Sequence, residues 1–211
     1  MARMFPVQVP EGKESERLVA ELLKEQLGED WTIYYSFEYL KREKRRALLR
    51  QGEIDFILLK KGVGLLLLEV KGGTVRYEQA ARKWLGKSGK GTEYGLDPVG
   101  QASENLSCLL SILGEVAGFG SKVPFAHGKA VLFPQCHINE GILPPSCRYG
   151  DGDPNSFETI LWDDRMLDRL GEMVETTLSL WSGGFRGGCP PAIENRIVGF
   201  FESDWSFSSV E

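Results

Sequence analysis

Three acids, Glu53, Asp55 and Glu69, and a lysine, Lys71, flank or interrupt two apolar runs in "GEIDFILLKKGVGLLLLEVKGG", residues 52–73, which are joined at a Lys-Lys-Gly turn. The stretch reads as two β-strands joined by a short turn around Gly62. A turn centred there places Asp55 opposite Glu69, and the two-residue period of a strand puts Lys71 on the same face as Glu69. Carboxylates that close repel each other, so their pKa values rise unless a cation lies between them.

A hard divalent cation would relieve this repulsion. Mg²⁺ binds oxygen ligands, accepts one or two carboxylates plus water, and completes its shell with substrate phosphate oxygens. Such an ion lowers the pKa of bound water and stabilises charge on a phosphodiester during in-line attack. Lys71 could orient the attacking water, and the backbone carbonyl of Val70 is a possible additional ligand. The pattern is typical of a metal-dependent phosphodiesterase, and the alternative is a simple ion pair of Lys71 with Asp55 or Glu69.

A third acid, Glu16, lies on a separate element. Residues 11–27 read as a helix that ends before Gly28. At about 100° per residue, Glu16 projects within the apolar arc of this helix, whereas the other acids lie opposite it. The arc comprises Leu18, Val19, Leu22, Leu23 and Leu27, and the opposite side carries Glu14, Glu21 and Glu25. An inward acid on another element favours a metal site over a single ion pair.

The remaining pattern predicts an α/β protein with a mixed sheet. A strand is expected at residues 31–37, a polar loop at "GKSGKGTEYG", and a helix from about Pro98 with Asp97 as its cap. A short buried strand follows at residues 129–133, and residues 157–181 read as a strand and then a helix. Residues 182–191 read as loop or linker, and the tail after them is of uncertain order.

Composition limits the classes of protein that fit. A chain of 211 residues suits one domain with a sizeable core. The net charge of −5 and pI of about 5.3 give no general reason to bind nucleic acid or an anionic membrane, so a polyanion would need a local basic patch. The apolar run at residues 65–68 is too short to span a bilayer, and no apolar signal segment opens the chain. We therefore expect a cytoplasmic protein without membrane contact.

Four cysteines are present, and no two of them form a CxxC pair. Cys136, His137, Cys147 and Cys189 could supply zinc ligands, but the close paired spacing typical of zinc sites is missing. Isolated reduced thiols are the favoured interpretation.

Four segments together resemble the nuclease-related domain (NERD) family, a branch of the PD-(D/E)xK nucleases. They are "ESERLVAELL", "GEIDFILL", "LLLLEVKGG" and "DPVGQASENL", in this order. The resemblance covers about Glu11 to Leu113, with a weaker continuation to the helix near Leu170. It implies a restriction-endonuclease-like core, a central mixed β-sheet flanked by helices, and DNA cleavage with Mg²⁺ or Mn²⁺. Residues 1–181 would form the nuclease domain, and 182–211 a linker or tail.

The resemblance assigns roles to individual residues. Glu16 matches the glutamate of the family's first helix, Asp55 the aspartate of the G-E-I-D stretch, and Glu69 with Lys71 the E-x-K pair. Gln101 resembles a glutamine that Mrr-like nucleases place beside the site; otherwise it is an ordinary polar residue in the first turn of a helix. The expected metal ligands are Glu16, Asp55, Glu69 and Val70.

Some positions depart from the family pattern or extend it. Ile54 stands where the superfamily name has proline, and Ser15 where the family usually has glycine. Glu53 is either a supporting acid or part of a surface ion pair.

Related domains often lie beside a helicase or kinase domain, so DNA and a helicase or other DNA-processing protein are the expected partners. The alternative function is a nucleic-acid-binding or scaffold domain that keeps the fold without useful turnover.

The segment "KREKRRALLR", residues 41–50, carries six basic residues and one acid. It follows the strand at residues 31–37 and precedes the acidic hairpin. Arg45, Arg46 and Arg50 could therefore hold the DNA backbone against the net negative charge of the protein. A solvated loop or an exposed strand is the alternative interpretation.

Overall fold

The computed structural model describes residues 1–42, 49–87, 91–150, 158–183 and 188–203. Its centre is a seven-stranded sheet, with a separate three-stranded sheet beside it. The strands of the central sheet are β1 Arg3–Phe5, β2 Trp31–Arg42, β3 Leu49–Lys60, β4 Gly64–Val70, β8 Ala126–Phe133, β9 Cys147–Tyr149 and β10 Thr159–Asp163. The strands of the smaller sheet are β5 Thr74–Glu78, β6 Lys83–Lys87 and β7 Glu93–Leu96.

The central sheet is mixed. Its spatial order is β1-β2-β3-β4-β8-β10-β9. The pairs β2–β3 and β3–β4 are antiparallel, whereas β1–β2, β4–β8, β8–β10 and β10–β9 are parallel. Because β4, β8 and β10 run in the same direction, their carboxyl ends meet at one edge of the sheet.

Helices cover both faces of the central sheet. They are α1 Glu14–Gln26, α2 Pro98–Val116, α3 Leu170–Ser182 and α4 Pro191–Glu202. Val19 of α1 and Leu178 of α3 belong to one buried apolar cluster, whereas Leu109 of α2 and Ile197 of α4 belong to the other. The predicted α/β class, with a central mixed sheet flanked by helices, is confirmed.

The acidic hairpin has the predicted register. Phe56 lies opposite Leu68 and Leu58 opposite Leu66, as a turn centred on Gly62 requires. Gly62 has φ of +71°, a left-handed conformation that glycine adopts without the steric cost of a Cβ atom. This register brings the chain at Asp55 beside the chain at Glu69.

Two sequence-based boundaries were wrong. Strand β2 extends to Arg42 and strand β3 begins at Leu49, so the antiparallel β2–β3 pair is longer than predicted. Residues 74–96, of which "GKSGKGTEYG" was predicted to be a loop, contain β5, β6 and β7. The apolar pattern that would have predicted these strands is sparse, because glycine and lysine separate the residues that pack. One of those residues is Trp84, which is buried and stacks on Phe133.

The segment after residue 181 contains more structure than a linker or tail of uncertain order. Within it, α4 buries Ile197 completely, and Arg196 donates a 3.0 Å hydrogen bond to the carbonyl of Ala117. Gly62 N donates to Glu194 Oε2 at 2.6 Å, which ties α4 to the hairpin turn. The prediction of a linker or tail is therefore corrected for Pro191–Glu202, and the boundary at residue 181 remains a prediction.

In the described part of the chain, none of the helices has the length and apolar character that crossing a bilayer requires.

Candidate metal centre

Asp55 and Glu69 lie next to each other in the interior, at the end of the hairpin away from its turn. Asp55 is 8% exposed and Glu69 is fully buried. Asp55 Oδ2 accepts a 2.7 Å hydrogen bond from the backbone N–H of Val70. Burial, followed by the charge of Glu69, raises the pKa of Asp55 to about 8. Burial likewise raises the pKa of Glu69, although Lys71 opposes that shift.

Lys71 supplies a positive charge beside this pair. Its Nζ lies 2.5 Å from Glu69 Oε1, as the shared strand face predicts. The backbone N–H of Lys71 donates to the carbonyl of Leu132 at 2.9 Å, which fixes the end of β4 against β8. One lysine therefore accompanies two buried carboxyl groups, and the pair keeps a negative charge when both are ionised.

Asn105 is a residue of the site that the sequence analysis missed. It is buried in the second turn of α2, and its Nδ2 donates to Glu69 Oε2 at 3.2 Å and to the carbonyl of Glu53 at 2.9 Å. Its Oδ1 accepts a 2.8 Å hydrogen bond from Tyr39. The available signal was its spacing from Gln101, since residues four apart lie on the same face of a helix.

Gln101 is in the first turn of α2, as predicted, and its side chain is exposed. The side chain that reaches Glu69 from this helix is that of Asn105, one turn later. A role for Gln101 in the site remains a prediction.

Glu16 points inward from α1, towards β2. Its Oε2 accepts a 2.6 Å hydrogen bond from the Tyr35 hydroxyl and lies 3.2 Å from Lys13 Nζ. Its charge is near enough to contribute to the raised pKa of Asp55. Glu16, Asp55 and Glu69 are nevertheless not a group whose ligand atoms all lie within 4.8 Å of one another. Glu16 is held by Tyr35 and Lys13, and its role as a ligand of the same ion as Asp55 and Glu69 remains a prediction.

Glu53 joins the Glu16 side of the site. Its Oε1 accepts hydrogen bonds from Lys13 Nζ at 2.8 Å and from Ser36 Oγ at 2.7 Å. These bonds, with Lys13 first, lower the pKa of Glu53. For Lys13, burial lowers the pKa, but hydrogen bonds with Glu53 and Glu16 raise it overall. The ion-pair interpretation of Glu53 therefore holds, and the pair adjoins the acidic site.

A cavity of about 330 Å³ opens beside these residues. Its walls come from the start of α1, the end of β4 and the segment after β8. The lining residues are Gly12, Lys13, Glu14, Ser15, Glu16, Val70, Gly72, Gly73 and Gln135. Val70, the predicted backbone ligand, thus lies between buried Asp55 and a space that a phosphate group could enter.

A second group of possible metal ligands comprises His137, Asp163 and Asp164. It follows β8 and β10 at the same edge of the sheet, and His137 Nδ1 contacts Asp164 Oδ1. Asp163 already accepts hydrogen bonds from Ile138 N at 2.8 Å and Arg165 Nη2 at 2.6 Å. Burial raises the pKa of Asp163, but the bonds from Arg165 and its other donors lower it overall. An ion bound to Asp163 would therefore compete with Arg165.

The other predicted groups are placed only in part. Arg45 and Arg46 lie outside the described residues, and Arg50 pairs with Lys41 in the β2–β3 ladder without a described side chain. All four cysteines lie within the described residues, are buried and form no disulfide. The described group of possible metal ligands contains none of them.

The comparison with family models decides the classification. The model of the nuclease-related domain matches residues 11–133, which is more than half of the chain. The chain belongs to the NERD family. The match includes α1, the whole acidic hairpin, α2 and β8, and so contains every residue of the acidic site described above. No curated protein and no solved structure matches the chain.

Proposed function

We propose that this NERD protein is a Mg²⁺- or Mn²⁺-dependent nuclease that hydrolyses phosphodiester bonds of DNA, in DNA processing or repair. The observation that carries the proposal is the pair of buried carboxyl groups, Asp55 and Glu69, beside Lys71. Family membership supports a nucleic-acid substrate. A helicase or another DNA-processing protein is the proposed partner.

The donor set fits a hard divalent cation. Carboxylate oxygens and a backbone carbonyl are the ligands that Mg²⁺ and Mn²⁺ prefer, and the buried pair, when both groups are ionised, has more negative charge than Lys71 neutralises. Asp55, Glu69 and the Val70 carbonyl would hold the ion. Glu16, on the adjoining cavity wall, remains a predicted ligand. When bound, such an ion supplies an activated water and neutralises charge on the phosphodiester.

The residues of the chain have distinct roles in this proposal. The Val70 N–H fixes the carboxyl group of Asp55, and Asn105 fixes that of Glu69. Lys71, held at Glu69, would donate a hydrogen bond from its ammonium group to the attacking water or to a phosphate oxygen. Burial of the carboxyl groups strengthens these electrostatic contacts, because little water screens them.

Asp55→Ala and Lys71→Ala test the proposal. Both should abolish cleavage of plasmid, single-stranded or branched DNA in Mg²⁺ or Mn²⁺. Asp55→Ala removes a metal ligand, and Lys71→Ala removes the hydrogen-bond donor to the attacking water or the phosphate. Melting temperatures should stay close to that of the wild type, because Asp55→Ala removes the repulsion between two buried carboxyl groups and, in Lys71→Ala, Glu69 can be neutralised by a proton in place of the lysine. The measurement is product formation on gels, with Lys61→Ala, at the exposed hairpin turn, as the matched control.

Two results would contradict the proposal. One is full cleavage by either variant at wild-type protein stability. The other is no cleavage by the wild type on any of the three substrates, together with clearly lower melting temperatures for both variants, which would assign the three residues a structural ion-pair role.

A second candidate function is a DNA-binding or scaffold domain with little or no turnover. The binding of Glu16 by Lys13 and Tyr35 favours it, because Glu16 is thereby held outside a shared coordination sphere. Tight DNA binding without cleavage in either metal would select this candidate.

A further inference from the structure

Lys13 occupies the space between two acids that belong to different elements. Its Nζ lies 2.8 Å from Glu53 Oε1, on β3, and 3.2 Å from Glu16 Oε2, on α1. It also lies 5.6 Å from the ring centroid of Tyr35, the donor to Glu16. Two carboxylates thus share one ammonium group at the wall of the cavity.

The position of Lys13 in its helix offers no other reason for a lysine. It is the N-cap residue of α1, and its side chain makes no capping hydrogen bond. Helices prefer Ser, Thr, Asp or Asn at this position, and a cation at the N-terminus is repelled by the helix dipole. The contacts with Glu16 and Glu53 offset these disadvantages, so the acids account for the residue.

The charges of the site match a single dication when Lys13 is counted. Four carboxylates, Glu16, Glu53, Asp55 and Glu69, stand against two ammonium groups, those of Lys13 and Lys71. With all four acids ionised, two negative charges remain, the amount that one divalent ion neutralises. Without Lys13 the site would retain three, and the pair of carboxylates it bridges would be free to bind a second cation.

We propose that the Lys13 ammonium group takes the place of a second divalent ion, so that the site holds one metal ion rather than two. This inference rests on the proposed metal-dependent function. Lys13 is thus a positioning residue: it balances and fixes Glu16 and Glu53, while Asp55, Glu69 and Val70 hold the single ion.

The test is the number of Mn²⁺ ions that the full chain binds, measured by isothermal titration calorimetry and by electron paramagnetic resonance of free Mn²⁺. All counts are made in a His137→Ala background, which removes a ligand of the separate group of His137, Asp163 and Asp164, and there the otherwise unchanged chain, called the wild type below, should bind one ion. Lys13→Met, which keeps the length of the side chain but removes its charge, should bind two. Lys13→Arg should again bind one, and Lys13→Met combined with Glu53→Gln should lose the second ion.

Folding is checked by the melting temperatures of all variants in EDTA, with Lys13→Gln as a second neutral variant if Lys13→Met is not folded. A single ion in both the wild type and the folded neutral variant would overturn the role of Lys13 and leave the nuclease proposal intact. Two ions in the wild type or in Lys13→Arg would also overturn it. No ion in the wild type would instead contradict the metal-dependent function itself.

Discussion

Asp55 and Glu69 bring two acidic groups into a position with almost no contact with solvent. Burial is the main cause of the raised pKa of both groups, and the negative charge of Glu69 raises the pKa of Asp55 further. At the scale of single residues, the folded chain therefore needs a proton or a cation at this place. A proton serves at low pH, and a divalent ion can replace it at higher pH.

The first prediction concerns the stability of the metal-free protein. Because folding raises the pKa of Asp55 from 3.8 to about 8, its protonation stabilises the folded state fully below about pH 4. This contribution is lost as pH rises through about 8. In EDTA, the melting temperature relative to that of Asp55→Asn should fall over this interval.

Mn²⁺ should reverse the loss, since a ligand that binds only the folded state stabilises it. The rise in melting temperature on adding Mn²⁺ should be larger at pH 8 than at pH 6, because protons compete for Asp55. Scanning fluorimetry over a pH series measures both effects. A pH dependence identical in the wild type and Asp55→Asn would contradict the assignment, as would no Mn²⁺ effect at any pH.

At the scale of elements, the site depends on the packing of α1 and α2 against the end of the acidic hairpin that lies away from its turn. The hairpin supplies Asp55, Glu69 and Lys71, and α2 adds Asn105 across the sheet face. The long β2–β3 ladder continues past this site to Lys41 and Arg50, so the basic run begins and ends on paired strands. The basic run therefore adjoins the acidic hairpin through the strand that they share, β3.

The second prediction concerns this run. Replacing Arg45, Arg46 and Arg50 by alanine should weaken DNA binding and flatten its salt dependence. On duplex DNA, the slope of log K against log salt should become shallower by about 0.9 for each phosphate that the variant no longer neutralises. Fluorescence anisotropy over a salt series measures this slope.

The control removes the same number of charges elsewhere, with Lys24, Lys61 and Lys122 changed to alanine. Lys61 lies in the turn at the far end of the hairpin, and Lys122 precedes β8 at the same distant edge. An unchanged slope in the arginine variant, or an equal loss in the control, would remove the basic run from the DNA-binding surface.

At the scale of the whole molecule, the C-terminal segment closes the apolar face on which α2 lies. Ile197 of α4 is completely buried, and Phe201 stacks on Tyr34 with ring centroids 4.4 Å apart. The Cys189 N–H donates to the carbonyl of Gly62 at 2.9 Å, so this segment also contacts the hairpin turn. Residues beyond 181 therefore pack against the face of the sheet that α2 covers.

The third prediction follows from this packing. Ile197→Ala should lower the free energy of unfolding by about 2–5 kcal/mol, the usual cost of deleting a buried side chain. Urea denaturation measures the change, and Asn195→Ala, at an exposed position of the same helix, is the control. Equal stability of the two variants would mean that α4 contributes little to folding.

The sequence determined the local features. Alternating residues around Gly62 predicted the hairpin register, and therefore the meeting of Asp55, Glu69 and Lys71, because a strand has a fixed period of two. Helical periodicity likewise predicted α1 and the inward direction of Glu16. These relations hold within one element or between neighbours in the chain.

The tertiary structure decided the contacts between distant segments. The Asn105 bond to Glu69, the binding of Glu16 by Tyr35 and Lys13, and the docking of α4 all join residues on separate elements. Such contacts depend on how helices rotate and pack against the sheet, and a pattern of residue types along one segment carries little information about that. The acids and the Glu69–Lys71 contact were therefore predictable, but the partners of Glu16 and the bond from Asn105 to Glu69 were not.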